Sequence, residues 1–405
     1  MDSIRTNTKL DIYRNLLGGF QVLLQSQAYK TLYQAYQHRD KAALQWKQKG
    51  IQFVGCFGTD VPEEVLIAGD ILPVRVFGNP DRRVEIADQY LEKGFDPYTV
   101  SQFDQIVNGT YSYLNRLVIS NSSDAIIRVY YYLRAIRKVE SKNQVPPLHF
   151  FDFLHTPFRM SGMYNRNRLN AFIREVEAWS GKEITNQKLE YAINLCNETR
   201  KLLQELMELR DSETPRISGT EALHIIGSSM VMPREEYNSL LKQLINEIKE
   251  APVLEGTPIF VTGSAQDHPY LYEWIESHGG VVVGEDHEMG NRHAQGFVDT
   301  QADPVDGIVD RYHLRPPVSG QATVTQRVDS LIGQVNKTKA KAVVFYVYEK
   351  HDAISWDFPS QRKALEAQGI SVLLLEDQPY GPITEESKRK LSEFIVSMKG
   401  RVNIR

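Results

Sequence analysis

The sequence predicts an α/β protein with two domains, each a parallel sheet flanked by helices, plus N-terminal and central helical segments. Three observations predict it. At 405 residues the chain is longer than one hydrophobic core usually serves. Short apolar runs alternate with helical patterns in two separate stretches, as parallel sheets with crossover helices require. A helix-rich block poor in strand signals lies between those stretches.

Residues 1–48 read as helical, because Leu10, Tyr13, Leu16 and Leu17, then Leu32, Tyr36 and Leu44, recur at three-to-four spacing among charges. The pattern breaks at Gly50. Over residues 49–160 a first α/β domain is expected, with strands in IQFVGCFG (51–58), ILPVRVFG (71–78), RLVISN (116–121) and PPLHFFDF (146–153). PEEVLIAGD (62–70) opens like a helix, with Pro62 early and glutamates in its first turn. AIIRVYYYLRAIRK (125–138) is a second helix. Residues 161–254 form the helical connecting region, expected to pack across both domains. A second α/β domain spans 255–405, with strands in TPIFVTGS (257–264), GVVVGED (280–286), AKAVVFYVYE (340–349) and ISVLLLED (370–377). Its helices are PYLYEWIESHG, QRVDSLIGQVNK and SQRKALEAQG. Each half is flavodoxin-like in pattern, with no Walker A sequence and no G-x-G-x-x-G fingerprint.

Composition is that of a globular protein, 41% hydrophobic and 24% charged, with a formal charge of −4. No run of Lys or Arg supplies a nucleic-acid-binding face. Cys56 and Cys196 are the only cysteines, so a disulfide framework is unsupported and a reducing compartment is the easier reading. No stretch approaches the ~20 apolar residues that span a bilayer, and the N-terminus lacks a signal-peptide core. A cytoplasmic protein is expected.

In open parallel sheets, ligands bind beyond the carboxyl ends of the strands. Four loops there carry chemistry-bearing residues. CFGTDVPEEVLIAGD places Cys56, Asp60, Glu63 and Glu64 at a strand end and helix start, where a carboxylate could serve as a base or simply suit the helix dipole. LEKGFDPYTVSQF holds Asp96 before Pro97, a helix cap or turn. VISNSSDAIIR could cradle an anion or merely cap a helix. VYEKHDAISWDFPSQ sets His351 and Asp352 after the strongest strand of the second domain, with acid–base, metal-binding and structural readings all open.

Taken together, these segments resemble a known family. VPEEVLIAGDILPVRVFG looks like the P-x-E-I/L-x-x-A-A-G-x-x-P signature of the 2-hydroxyacyl-CoA dehydratase and benzoyl-CoA reductase family, and the chain is similar to its 2-hydroxyglutaryl-CoA dehydratase D-component subunits. The likeness continues through VISNSSDAIIR, GSSMVMPREEYNSLLKQL, DPVDGIVDRYHLRPP and AVVFYVYEKHDAISWDFPSQRKALEAQGISVLLLEDQ, from about residue 45 onward. The resemblance implies paired subunits, an ATP-dependent activator or electron donor, and radical chemistry on an acyl-CoA that ends in dehydration or reduction.

Cluster-bearing members use three cysteines as iron ligands, in a C-P-Y/F turn, a T-C-D turn and a C-D/E-x-x-x-x-D/E loop. Those positions fall on Asp96 in FDPY, Ser123 in SSD and His351 in KHDAISWD. All three cysteines are replaced, and Cys56 and Cys196 lie elsewhere. A 4Fe–4S cluster is then expected on a homologous, cysteine-bearing partner subunit in a heterodimer, with no metal in this chain. Glu64, matching the signature glutamate, is the candidate catalytic residue, and Ser264 and Arg292 are candidate substrate contacts. Two alternatives stand beside a catalytic subunit: a non-catalytic acyl-CoA-binding or structural subunit, and a metal-dependent enzyme reusing Asp96, Ser123 and His351 around a harder ion.

Overall fold

The computed structural model describes residues 23, 25–47, 49–210, 213–314 and 322–402. The expected N-terminal helix is met from Gln27 onward as α1 (Gln27–Gln37) and α2 (Arg39–Lys47), and Leu10, Tyr13, Leu16 and Leu17 lie outside the described residues. Ser26 caps α1 by accepting the Tyr29 N–H.

All eight expected strands form. β1 (Gln52–Phe57), β2 (Ile71–Arg75), β3 (Arg116–Ser120) and β4 (Leu148–Phe151) make one parallel sheet in the order β2-β1-β3-β4. β5 (Thr257–Gly263), β6 (Gly280–Asp286), β7 (Ala342–Tyr348) and β8 (Ser371–Gln378) make a second, in the order β6-β5-β7-β8. In both, the first strand sits inside the sheet and strand order reverses beside it. Each sheet therefore has a topological switch point, between β1 and β3 and between β5 and β7. Pro73, which has no N–H to give a ladder, lies on the edge strand β2.

The first sheet carries α3 (Glu63–Ala68), α4 (Pro97–Val107) and α5 (Asp124–Val139), and the central block is α6 (Arg159–Ser180), α7 (Asn186–Glu208), α8 (Gly219–Ser229) and α9 (Arg234–Lys249). The second sheet carries α10 (Tyr270–Ser277), α12 (Val324–Thr338), α13 (Asp352–Ala367) and α14 (Glu385–Val402), while α11 (Pro304–His313) packs on α6 and α7 beside the first sheet. Among the described residues no helix is long and apolar enough to cross a membrane.

Side chains along β1 alternate between two apolar clusters. Phe53 and Phe57 pack with Leu72, Leu117 and Ile119, while Val54 and Cys56 pack with Val118, Leu169 and Phe172. The first cluster runs on through Leu203, Leu223 and Leu244 of the central helices to Ile259, Val261 and Val344 of the second sheet. The core is thus continuous across both sheets, because the central helices are apolar on faces that meet each of them. α7 shows how the block bridges: Asn197 accepts the Val298 N–H at 3.0 Å, and Arg200 pairs with Glu64 beneath the first sheet. Asp267, after β5, closes the opposite side. Its carboxylate accepts the Gly78 N–H at 3.1 Å and the Tyr380 hydroxyl at 2.9 Å, and the Asp267 carbonyl accepts Arg39 at 2.7 Å.

One segment departs from the sequence reading. VYEKHDAISWDFPSQ reads as a loop as far as Pro359, yet α13 begins at Asp352 and carries Pro359 in its interior. Packing outweighs the proline: Phe358 meets Phe345 edge-on, with ring centroids 5.0 Å apart, and Asp357 accepts a hydrogen bond from the Arg327 guanidinium at 2.6 Å.

Gly263 ends β5 at φ 117°, where an added Cβ would stand 2.3 Å from the Tyr346 carbonyl oxygen. Gly263→Ala is expected to destabilise the fold by at least ~2 kcal/mol, through strained backbone and a clash with backbone that cannot yield. Thermal and urea unfolding of the purified variant measure it.

Candidate functional site

The loops that leave β1, β3, β5 and β7 open onto one cavity of about 730 Å3, with Thr59, Ser122, Ala265 and Lys350 in its wall. Both switch points face it, so the carboxyl ends of the two sheets oppose each other across a shared space. Its volume falls within the range of small-molecule sites.

Asp96, Ser123 and His351 all line this cavity. Two of them are committed to backbone. Asp96 caps α4, where its carboxylate accepts the Thr99 N–H at 2.9 Å and the Thr99 hydroxyl at 2.7 Å. Ser123 caps α5, accepting the Ile126 N–H at 3.2 Å. His351 precedes α13 without capping it, and its Nδ1 lies 2.9 Å from Ser264 Oγ.

Glu63 and Glu64 form the first turn of α3, and both are buried. Glu63 reaches the cavity wall. Glu64 is fully buried behind it, ion-paired with Arg200 and accepting the Tyr312 hydroxyl at 3.0 Å. Burial by itself pushes the Glu64 carboxyl up, but Arg200 and Arg311 outweigh it and hold the group below the ordinary carboxylate range. Glu63 is held down in the same way, by Arg234, His293 and Arg75 against burial. Arg234 pairs with Glu63 directly, and Arg75 lies 3.7 Å from it while donating to the Gly58 carbonyl.

Arg292 lines the cavity with its guanidinium on Asp286 at 2.6 Å, so its charge is already partnered. Ser264 is 1% exposed and stands behind the wall, where its hydroxyl accepts the Tyr348 N–H at 2.9 Å. His293 also faces the cavity. Burial, reinforced by Arg234, Arg75 and Arg200, lowers its pKa to about 3 despite Glu63, which keeps the ring uncharged at neutral pH.

A cysteine-held cluster does not suit these donors. Thiolates hold iron because they are soft and anionic. Cys56 is a core residue of β1 and Cys196 lies on α7, and burial pushes both thiols up to about 12. Among the described residues no three His, Cys, Asp or Glu side chains are grouped to hold a metal ion. The trio Asp96, Ser123 and His351 shares a cavity without forming a ligand set, because two of its members spend their oxygens on helix termini.

The arginines around Glu63 and Glu64 carry no local signal in the sequence. Arg200 lies 136 residues from Glu64 and Arg234 lies 171 from Glu63, so only the fold unites them. A hint exists in hindsight: two adjacent acids at a strand–helix turn, and an arginine just after Pro233, where an apolar stretch gives way to a charged helix start.

Two parallel sheets whose switch points share one cleft define an α/β protein with its candidate ligand site between the sheets. Residues 58–398 match the family of the 2-hydroxyglutaryl-CoA dehydratase D-component, and the chain belongs to that family. It is 22% identical to the (R)-phenyllactyl-CoA dehydratase beta subunit of Clostridium sporogenes over 86% of this chain and 92% of that subunit. It is 23% identical to the beta subunit of the lactoyl-CoA dehydratase of Anaerotignum propionicum over 84% of this chain and 90% of that one. With a subunit of the benzoyl-CoA reductase of Thauera aromatica it shares 25% identity over 75% of this chain and 80% of that polypeptide. These relatives are subunits of dehydratases and of a reductase.

Breaking one side of the Glu64–Arg200 pair strands a buried charge. Arg200→Met is expected to cost about 3–5 kcal/mol, and Arg200→Met with Glu64→Gln less than the sum of the two singles. The depressed Glu64 pKa means that its stabilisation is present at neutral pH and lost as pH falls through the ordinary carboxylate value of 4.5 and below. The gap in thermal midpoint between the native chain and Glu64→Gln is therefore expected to narrow below that pH.

Proposed function

We propose that this chain is one subunit of a heteromeric 2-hydroxyacyl-CoA dehydratase or benzoyl-CoA reductase-like enzyme, acting on acyl-CoA thioesters together with a homologous, cysteine-bearing partner. The partner supplies the 4Fe–4S cluster that this chain has no donors to hold, and an ATP-dependent activator supplies electrons. One observation carries the reading. One cleft lies between the two switch points, and the three residues in its wall that the resemblance matches to cluster ligands are no cysteines: Asp96 and Ser123 are bound to helix termini and His351 to a serine.

This chain's own contribution is then binding and enclosure. The cleft takes the acyl end of the thioester, and the carboxyl ends of both sheets screen it from water. Glu64 acts from behind the wall by fixing Arg200 and Tyr312, so its role is positioning. Glu63 and Arg75 are the members of the same group that a ligand meets. Arg292, tied to Asp286, shapes the rim.

The same commitments favour a second reading in which the subunit binds acyl-CoA without turning it over. In that case Glu63→Gln in the assembled enzyme would weaken acyl-CoA binding and leave the rate at saturation unchanged. The catalytic-subunit reading expects a fall in that rate of roughly 100-fold or more, the scale of losing a group aligned with the reacting atoms.

The partner requirement has a direct measurement. The chain expressed alone is expected to be colourless, with iron and sulfide near zero. The complex recovered with its partner is expected to carry about four of each per cluster-bearing subunit. Cys56→Ala with Cys196→Ala is expected to leave the metal content of both samples unchanged. About four irons on the isolated chain, or turnover of a hydroxyacyl-CoA by that chain unaided, would sink the proposal.

A further inference from the structure

We infer that His351 is an oriented hydrogen-bond donor in the cavity, that Ser264 sets its tautomer, and that the atom it receives is the thioester carbonyl oxygen of an acyl-CoA. This rests on the acyl-CoA reading above and deepens it by naming the ligand atom that the site takes.

Ser264 is the pivot. Its hydroxyl oxygen already accepts the Tyr348 N–H at 2.9 Å, and the same oxygen lies 2.9 Å from His351 Nδ1. A hydroxyl carries one hydrogen, and among the described residues Nδ1 is the acceptor offered to it. Were the proton on Nδ1, the Ser264 hydrogen would be left without an acceptor at a position only 1% exposed. The hydroxyl therefore donates to Nδ1, and the ring proton resides on Nε2.

That Nε2–H has no protein partner among the described residues, and it is not one of the buried polar atoms sealed from solvent. His351 lines the cavity, and this unused donor is the one that the ring has left for a ligand there. Asp96 and Ser123 occupy the same wall, but each is oriented by the helix N-terminus that it caps. A single N–H suits a single oxygen acceptor. A phosphate is held by several donors or by a cation, and the guanidinium groups of Arg292 and Arg327 in this wall are paired with Asp286 and Asp357. The acceptor that this donor fits is a carbonyl oxygen. His351 is thus the ligand-touching residue and Ser264 a positioning residue.

The test uses the full chain, alone and in the complex with which it purifies. The probes are acetyl-CoA and S-ethyl-CoA, the thioether that lacks only the carbonyl oxygen. Calorimetry is expected to show acetyl-CoA bound more tightly by roughly 2- to 12-fold, the worth of one hydrogen bond. His351→Leu is expected to erase that preference. His351→Gln, whose amide sets an N–H near the place of Nε2, is expected to keep part of it. Nitrogen-15 spectra of histidine-labelled chain at about pH 8, above the ordinary imidazole range, are expected to show His351 protonated on Nε2 and to become a tautomer mixture in Ser264→Ala. Equal binding of the two probes by the native chain, with His351→Leu altering neither, overturns this inference and leaves the acyl-CoA reading standing. Binding of neither probe overturns that reading and this inference with it. A His351 signal unchanged by Ser264→Ala overturns the positioning role.

Discussion

Glu63 and Glu64, side by side in the first turn of a six-residue helix, organise one wall of the cleft. Two buried carboxylates in adjacent positions cannot be left without counter-charges, since the desolvation penalty is several kcal/mol per ion. Neighbouring residues on a helix point in different directions, so each glutamate must recruit from a different element. Glu64 takes Arg200 from α7 and Tyr312 from α11, and Glu63 takes Arg234 from α9 and Arg75 from the end of β2. Five elements are fixed to one another by that requirement. The short helix is therefore less an element of the first sheet than the junction between that sheet and the central helices.

The opposite wall depends on a different device. Asp267 receives the Gly78 N–H and the Tyr380 hydroxyl, while its main chain receives Arg39 and the Tyr36 hydroxyl. Burial pushes this carboxyl up and Arg39 pulls it down. One residue after β5 thus touches the N-terminal helices, the loop after β2 and the loop after β8. Both sheets are held with their carboxyl ends facing inward, and the cavity exists because those two clasps stand on either side of it.

Within this frame Asp96 and Ser123 stand at helix N-termini, and His351 stands just before a third helix. A thiolate is a poor helix cap. Aspartate and serine are among the best, and both now accept the first free N–H groups of the helices they precede. Histidine caps poorly, and His351 turned instead to a buried serine. That difference in capping chemistry is why His351 pairs with a serine and not with a helix N-terminus.

The eight strands were legible because buried parallel strands are continuous apolar runs bounded by turn residues, and the central helices because their periodicity is strong. The cleft was legible in outline, since ligand sites in open parallel sheets lie at the strands' carboxyl ends. α13 was misread at its start because a proline is a local signal and its compensation, Phe358 on Phe345 with Asp357 on Arg327, is not. Of the site residues, sequence alone determined that Asp96, Ser123 and His351 stand in loops at strand ends and that two cysteines are too few for a cysteine ligand set. Only tertiary structure decided that Glu63 meets the cavity while Glu64 lies behind it, and that Ser264 serves His351. Those outcomes depend on partners more than 80 residues apart, brought together by packing, and no local pattern encodes such a meeting.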